Sequence, residues 1–469
     1  MADLSITELS AAAIAERVGR RELSPVAVIE AHLAAIAARN PVVNAICTLA
    51  AEEALSTAHA LEADLARGAV PGPLAGVPIG VKDTTETAGI RTTYGCPVYA
   101  ENVPTEDALV VQRIKRAGGI VIGKTNVPEF AAGANTYNPI FGPTRNPWNP
   151  ALSASGSTGG GAAALSTRMI ALADGSDLGG SLRTPAAFCG VVGLRPTPGL
   201  VPQWPTVQPF DHLGVAGPMG RTVADTALLL QAIAGPARQS PIFQPIAGRD
   251  FAAAAADRNL AGVRIAYCQD IAGVGVEPAI DEACRRAVFA LRDAGATVEE
   301  IELDLSPGRA AFLQLRGELM VTGHFDRLDK LDKFGPNLAG NIRAGLAQSP
   351  RDVALGERGR NLVRNRMLDL FERFDALASP TTAVLPFPVE QNYPETINGR
   401  RMATYIDWVA PTSLITLASV PAISVPCGLV GGLPVGLQIT AAAGAEERVL
   451  SLAGTVEAAS PIGRPGLLG

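Results

Sequence analysis

Residues 76–123 decide the fold expected of this chain, because two apolar runs, GVPIGVK (76–82) and GIVIG (119–123), flank the segment TEDALVVQRIKR (105–116). Short apolar runs bounded by Gly or Pro are typical of buried strands. The middle segment begins at Thr105, a residue type that caps helices, and predicts a helix through Arg116. Strands that alternate with helices indicate a mixed or parallel sheet. These patterns therefore predict an α/β fold in which a mixed or parallel sheet is covered by helices.

The same alternation continues towards the C-terminus. A glycine-rich tract opens an Ala-rich helix near Gly160, and further strands are predicted at RIAYC (264–268), TVEEIEL (297–303), PAISVP (421–426) and LPVGLQI (433–439). These runs are again short, apolar and bounded by turn residues. The chain therefore keeps one kind of architecture over most of its length.

No Pro- or Ser-rich linker divides the chain, so we expect a single domain over residues 1–469. Its parts are an N-terminal helical segment at 1–67 that packs on the core, a core at 74–235, a less regular, substrate-shaping region at 236–400, and C-terminal core strands with a helix at 401–469.

The composition argues against several classes of function. The formal net charge is −6 and aromatic residues make up 5% of the chain, whereas nucleic-acid binding usually needs a basic surface and aromatic side chains. The six cysteines form no C-x-x-C pair and are interpreted as reduced thiols. Asp3, Glu8 and Glu16 do not fit a signal peptide, and prolines divide the uncharged stretch 408–445. We therefore expect a cytoplasmic protein with a small-molecule substrate, no nucleic-acid partner and no membrane partner.

Scarce histidine and lysine narrow the possible chemistry. The chain has 4 histidines, with no pair at metal-ligand spacing, so neither an imidazole base nor a metal centre is expected. Five of the 39 basic residues are lysines, and one of them, Lys82, ends an apolar strand. Burial disfavours the charged amine and lowers its pKa. Lys82 is therefore a candidate base for a serine nucleophile.

Two glycine-serine tracts are candidates for the rest of the site. Residues 153–161 read SASGSTGGG and residues 174–183 read DGSDLGGSLR. Glycines beside serine let a substrate approach backbone N–H groups that can stabilise an oxyanion, although two Gly-rich turns are the alternative interpretation. A third stretch, GGIVIGKT (118–125), matches the phosphate-loop pattern, but GIVI is itself an expected strand and Pro128 follows. Nucleotide binding is therefore not expected.

Together these segments resemble the amidase signature family, whose hallmarks are a strand ending in Lys-Asp, a glycine-serine tract and a D-x-G-G-S segment. The matching stretches here are VKD (81–83), GSTGG (156–160) and DLGGS (177–181). The resemblance extends over residues 74–198 and resumes at GPMGRTVADTALLL (217–230) and PAISVPCG (421–428). It therefore covers more than half of the chain in matching order. The resemblance implies an α/β fold with a large mixed β-sheet core covered by helices on both faces.

The resemblance implies Ser181 as the nucleophile, Ser157 as a serine that follows a cis peptide bond, and Lys82 as the base that acts through Ser157. The implied oxyanion hole consists of the backbone N–H groups of Leu178, Gly179, Gly180 and Ser181. The residues implied to bind substrate or to support the site are Ala131, Ala132, Gly133, Thr158, Asp177 and Arg183. No metal and no organic cofactor is implied. Family members commonly read PGGSSGGS through the first tract, whereas this chain reads ASGSTGGG (154–161) and keeps Ser157.

The function expected from this resemblance is that of a free-standing amidohydrolase. It would be a monomer or homodimer that cleaves a small carboxylic amide, and also anilides, carbamates or esters, through an acyl-enzyme; aryl acylamidase and urethanase activities fall within this range. Two alternatives stay open. One is the glutaminase subunit of a tRNA-dependent amidotransferase, which shares these motifs, and the other is a non-catalytic binding protein with the same fold.

Overall fold

The computed structural model describes residues 3–468; Met1, Ala2 and Gly469, at the two ends of the predicted domain, lie outside the described residues. Within that range eleven strands form one sheet: β1 (Ile46–Leu49), β2 (Pro78–Lys82), β3 (Ile120–Thr125), β4 (Leu172–Asp177), β5 (Val192–Arg195), β6 (Val215–Gly220), β7 (Arg264–Tyr267), β8 (Thr297–Glu300), β9 (Ala376–Pro380), β10 (Ala422–Val430) and β11 (Leu433–Ala441). Two small hairpins pair Tyr137–Asn138 with Gly142–Pro143 and Thr396–Ile397 with Arg400–Arg401.

The α-helices of the described residues surround this sheet. They are α1 (Ala11–Gly19), α2 (Pro25–Val43), α3 (Ala51–Ala66), α4 (Leu109–Arg116), α5 (Gly159–Ser166), α6 (Arg183–Cys189), α7 (Val223–Ile233), α8 (Phe251–Ala256), α9 (Pro278–Phe289), α10 (Arg309–Gly323), α11 (Pro336–Leu346), α12 (Pro350–Arg373), α13 (Ala410–Leu417) and α14 (Glu446–Ala459).

The sheet is mixed, which confirms the predicted fold class. Its strand order is β1-β3-β2-β4-β6-β5-β10-β11-β9-β7-β8. Strand β2 runs parallel to both of its neighbours, β3 and β4. Parallel strands end at the same edge of a sheet, and this edge is where α/β folds usually bind ligands. Here the three ends carry Lys82, Thr125 and Asp177.

Two apolar cores lie on opposite faces of the sheet. Successive side chains of a strand point to opposite faces, and on β3 Ile120 and Ile122 belong to one cluster while Val121 belongs to the other. The buried residues of α5 join the first cluster, and those of α7 and α14 join the second. Helices therefore cover both faces, as predicted.

The structure corrects three details of the sequence-based prediction. Helix α4 begins at Leu109 rather than after Thr105, and its N-cap residue Ala108 makes no side-chain cap. The N-terminal segment is not wholly helical, because β1 forms an edge of the sheet beside β3. The region predicted to be less regular holds the long helices α10 and α12. Local patterns missed these points because packing against the sheet, more than intrinsic propensity, decides such elements.

One helix in the described part of the chain, α2, is long and apolar enough to cross a membrane when judged by length and composition alone. Ser24 caps its N-terminus by accepting hydrogen bonds from Val26 and Ala27. Its residues Ile29 and Ile36 are buried in the core beside α5. In this structure α2 is thus a helix that packs against the sheet.

Candidate active site

Lys82 lies at the carboxyl end of β2, fully buried, where its amine meets three hydroxyl groups. Its Nζ lies 2.8 Å from Ser157 Oγ, 2.9 Å from Thr158 Oγ1 and 3.0 Å from Ser176 Oγ. A neutral amine has two N–H donors and one lone pair. Lys82 can therefore donate to Thr158 and Ser176 while it accepts the proton of Ser157.

The surroundings of Lys82 favour its neutral form. Burial lowers the pKa of Lys82 to about 7, although the carboxylates of Asp174 and Asp177 oppose this shift. Both oxygens of Asp174 bind groups other than the amine. Its Oδ1 accepts the backbone N–H of Lys82 at 2.6 Å, and its Oδ2 accepts from Thr85 Oγ1 at 2.9 Å. An amine with this pKa is neutral in a large fraction of molecules near neutral pH, so it can act as a base.

The two glycine-serine tracts lie side by side. The Gly156–Ser157 peptide bond is cis. Thr184 Oγ1 donates to the Gly156 carbonyl at 3.1 Å, and the N–H of Thr158 donates to the Ser181 carbonyl at 3.2 Å. These contacts bring Lys82, Ser157 and the backbone of Ser181 into one site, as the family resemblance implies.

Ser181 lies in the turn between β4 and α6, and this turn needs a glycine before it. Gly180 has φ +122°, and a Cβ there would overlap Thr412 Oγ1. The N–H of Gly180 donates to Asp177 Oδ1 at 2.9 Å, so it is not free to bind an oxyanion. In residues 3–468 the other amides of the expected oxyanion hole, those of Leu178, Gly179 and Ser181, have no protein acceptor. The expected set of four donors is therefore reduced to three.

A buried ion pair fixes this turn. Asp177 Oδ2 accepts from Arg183 Nε at 2.9 Å and its Oδ1 accepts from Arg183 Nη2 at 2.8 Å. Arg195 Nη1 lies 3.5 Å from Asp177 Oδ1. Burial by itself would raise the pKa of Asp177, but the charge and hydrogen bonds of Arg183, with the charge of Arg195, outweigh it and hold that pKa at about 2. Because the same carboxylate also binds the N–H of Gly180, it links the ion pair to the position of Ser181.

We expect Asp177→Asn to destabilise the protein, because it leaves Arg183 and Arg195 buried without their counter-charge. Loss of one partner from a buried pair costs about 3–5 kcal/mol, so the thermal unfolding midpoint should fall by several degrees. Glu282→Gln is the control, since it removes only an exposed pair with Arg286 and should leave the midpoint unchanged. An unchanged midpoint for Asp177→Asn would show that the pair does not support the fold.

The three small residues Ala131, Ala132 and Gly133 have different surroundings. Ala132 is buried in an apolar cluster with Phe334, so it does not enlarge an open pocket. Gly133 lies against the cis peptide, because a Cβ on Gly156 would come within 3.1 Å of the Gly133 carbonyl oxygen. Ala131 is partly exposed and has φ +58°. Gly133 therefore packs against the site, whereas Ala132 packs in an apolar cluster away from it.

Three further residues contact the site although no motif in the sequence identified them. Asp174 and Ser176 bind the backbone and the amine of Lys82 respectively. Because these two residues are two positions apart on β4, their side chains lie on the same face of the strand. This spacing is a signal in the sequence that could have identified them. Thr412 donates to the Gly179 carbonyl at 2.7 Å from α13, and no local pattern marks it.

Neither a phosphate loop nor a metal cluster is found in the described part of the chain. Residues 120–125 of the phosphate-loop pattern form β3, which buries Lys124. Within residues 3–468, no group of three His, Cys, Asp or Glu side chains could hold a metal ion.

Comparisons with known proteins identify the family. Residues 27–450 match the family model described as Amidase. The chain is 38% identical to a glutamyl-tRNA(Gln) amidotransferase subunit of Salinispora arenicola, over 98% of this chain and 99% of that protein. Among solved structures, a bacterial aryl acylamidase of the amidase signature family has a TM-score of 0.90 at 29% identity and covers 97% of this chain and 96% of its own. The corresponding amidotransferase subunit of Thermotoga maritima has a TM-score of 0.78 at 28% identity, over 100% of this chain and 99% of its own.

The curated relatives correct the expected function. Seven further relatives, 34–36% identical, carry the name of the same glutamyl-tRNA(Gln) amidotransferase subunit. The expectation of a free-standing amidohydrolase was therefore wrong, and its alternative, the glutaminase subunit, is better supported. The sequence misled because both kinds of enzyme share the signature motifs on which the expectation rested.

The same relatives correct the expected partners. Their name describes one subunit of an enzyme that acts on glutamyl-tRNA(Gln). A monomer or homodimer whose sole partner is a small amide, with no nucleic acid involved, was thus the wrong expectation. Net charge and aromatic content misled here because they describe one chain, whereas one chain of a complex can leave nucleic-acid contacts to the others.

The family match and the relatives agree on the class of chemistry. The matched region spans all three signature stretches and most of both core clusters of the fold. The solved neighbours include enzymes that cleave amides, such as the aryl acylamidase and a 6-aminohexanoate cyclic dimer hydrolase. The chain therefore belongs to the amidase signature family, and it is an amidase, a hydrolase that acts on linear amide C–N bonds.

Proposed function

We propose that this amidase is the glutaminase subunit of a glutamyl-tRNA(Gln) amidotransferase and that it releases ammonia from the side-chain amide of glutamine. One observation carries the proposal: a relative named as a subunit of that enzyme is 38% identical over 98% of this chain and 99% of its own length. Glutamine presents a primary carboxamide, which is a substrate that a serine nucleophile with a lysine base can cleave.

The proposed mechanism begins with a relay of protons. Neutral Lys82 takes a proton from Ser157 Oγ across the 2.8 Å contact, and Ser157 takes one from Ser181 Oγ. The Ser181 oxygen attacks the amide carbon, so a C–O bond forms and the carbonyl oxygen gains a negative charge. The free amides of Leu178, Gly179 and Ser181 are placed to donate to this oxyanion.

The second half of the proposed reaction returns the protons. The tetrahedral intermediate collapses, the C–N bond breaks, and the proton held by Lys82 passes through Ser157 to the leaving nitrogen, which departs as ammonia. Water then attacks the acyl-enzyme by the same route and releases the carboxylic acid. No proton is gained or lost over the cycle, which requires Lys82 to be neutral when each attack begins.

We propose a cytoplasmic location for this protein. The named relatives are bacterial proteins. The six cysteines form no disulfide, and the Sγ atoms of Cys284 and Cys427 lie 3.8 Å apart without a bond between them. Thiols so close together stay reduced most readily in a reducing compartment.

The proposed function predicts glutamine hydrolysis by an assembled complex. The chain should be purified with the remaining subunits of the Salinispora arenicola enzyme, and ammonia release should be measured from glutamine and from a panel that contains an anilide and a carbamate. We expect ammonia from glutamine and transfer of its nitrogen to glutamyl-tRNA(Gln), and both should disappear in a Ser181→Ala complex. A complex that leaves glutamine intact, while the single chain cleaves the anilide or the carbamate, would contradict the proposal.

A further inference from the structure

A second buried lysine, Lys124, lies beside the proposed relay but takes no part in it. It lies on β3, paired with Val81, the residue before Lys82, and its side chain is fully buried. Its Nζ donates to the Thr85 carbonyl and, at 2.9 Å, to Thr87 Oγ1. A chain with five lysines therefore buries two of them next to each other.

A short path of hydrogen bonds joins the two lysines. Thr85, whose carbonyl accepts from Lys124, donates from its Oγ1 to Asp174 Oδ2 at 2.9 Å. The other oxygen of Asp174 accepts the backbone N–H of Lys82. The carboxylates of Asp83 and Asp174 are the charges that favour the protonated form of Lys124 most strongly. Lys124 is thus placed to stabilise two carboxylates that adjoin Lys82.

The buried charges around Lys82 balance only when Lys124 is protonated. Apart from Lys82, three carboxylates and three cations in this part of the fold are at most 1% exposed: Asp83, Asp174, Asp177, Lys124, Arg183 and Arg195. Arginine stays charged in proteins. With Lys124 charged and the three carboxylates ionised, this group is neutral overall and Lys82 needs no charge. Burial raises the pKa of Asp83 and of Asp174, and the charge of Lys124 opposes that rise. With Lys124 absent, the group would carry one excess negative charge, which a protonated Lys82 would cancel.

The other ionisable groups that face this cluster are already compensated or neutral. Asp211 faces Arg195 and accepts two backbone N–H groups. Asp107 acts on Lys124 from the loop before α4 but pairs with Lys115 at 2.8 Å. Cys47, which adjoins Lys124, stays a neutral thiol because burial raises its pKa.

We propose that Lys124 is a positioning residue of the active site: it carries the positive charge that balances Asp83 and Asp174 near neutral pH, and it thereby keeps Lys82 neutral. The proposal rests on the proposed function only in taking Lys82 as the base. Burial lowers the pKa of both lysines, to about 7 for Lys82 and to about 8 for Lys124.

The test uses a probe that does not depend on the identity of the substrate. An alkyl fluorophosphonate reacts with an activated serine: the Ser181 oxygen forms a bond to phosphorus, fluoride leaves, and the base takes the serine proton. Its rate of reaction with the full chain is measured from pH 5 to 10. The fall of this rate towards low pH, the acid limb of the profile, reports the protonation of Lys82. We expect Lys124→Met to move this limb upwards by about one pH unit or more, so that labelling at pH 6 falls about tenfold and recovers near pH 10.

Two further variants separate charge from packing. Thr87→Ala removes a hydrogen bond to Lys124 but no charge, so its acid limb should stay in place. Asp83→Asn removes a negative charge, so the acid limb of this variant should move to lower pH. If Lys124→Met does not fold, the shift in Asp83→Asn tests the proposal instead. A folded Lys124→Met with an unmoved limb, or an Asp83→Asn limb that stays or moves upwards, would overturn the proposal. If Ser181 is labelled but glutamine is not hydrolysed, the proposed function fails and the inference about Lys124 still stands or falls by these shifts.

Discussion

Ser181→Ala should reduce amide hydrolysis by about 10⁴-fold or more while the protein remains folded. The reason is that the proposed acyl-enzyme forms on the Ser181 oxygen, and loss of the nucleophile from such a relay removes nearly all of the covalent pathway. Alanine at this position leaves the Asp177–Arg183 pair intact, so the turn between β4 and α6 should persist. The measurement is kcat/KM for glutamine with the assembled complex, together with thermal unfolding of each variant.

A matched serine gives the control for this experiment. Ser166 ends α5, and its replacement by alanine removes a buried hydroxyl without touching the relay. Ser166→Ala should therefore keep activity near that of the unmodified chain. Substantial hydrolysis by folded Ser181→Ala would show that another group is the nucleophile.

Lys82→Met should lower the rate of acylation by about 10³-fold and abolish its dependence on pH near neutrality. In the unmodified chain the neutral amine is the active form, and the pKa of Lys82 is lowered to about 7. As pH falls through this value, Lys82 gains a proton and the rate should fall; as pH rises above it, the rate should reach a plateau. Methionine fills a similar volume but holds no proton, so no acid limb should remain.

Lys333→Met is the control for this loss of a lysine. Lys333 is exposed at the end of a short helix (Phe325–Lys333) and forms no hydrogen bond with the relay. Its replacement should leave both the rate and the pH profile unchanged. An acid limb that persists in Lys82→Met would mean that another group titrates there and that Lys82 has a purely structural role.

The features that could be predicted from the sequence are those that a short local pattern determines. The run that ends in Lys82 predicted a buried strand, and the structure places that strand between two parallel neighbours. The rarity of lysine in the sequence marked Lys82 as a candidate base. Lys124 also follows an apolar run, but the phosphate-loop pattern to which it belongs predicts no role in amide chemistry.

Features set by distant parts of the chain were not predictable in this way. Thr412 reaches the nucleophile turn from α13, and Arg195 reaches Asp177 from β5. Gly180 was expected to donate to an oxyanion, yet its N–H donates to Asp177 at 2.9 Å, a contact within the turn that the D-x-G-G-S pattern alone does not indicate. The partners of the proposed complex were also not predictable, since the motifs concern the chemistry of the site and not the surfaces that other subunits would contact.

The most direct test of the central claim, that Ser181 is activated by Lys82 through Ser157, is peptide mapping by mass spectrometry after reaction with a fluorophosphonate. We expect one phosphonyl group per chain, located on Ser181, with labelling strongly reduced in Lys82→Met and in Ser157→Ala. A label located on Ser157 or Ser176, or equal labelling of Ser181 in the absence of Lys82, would contradict the claim.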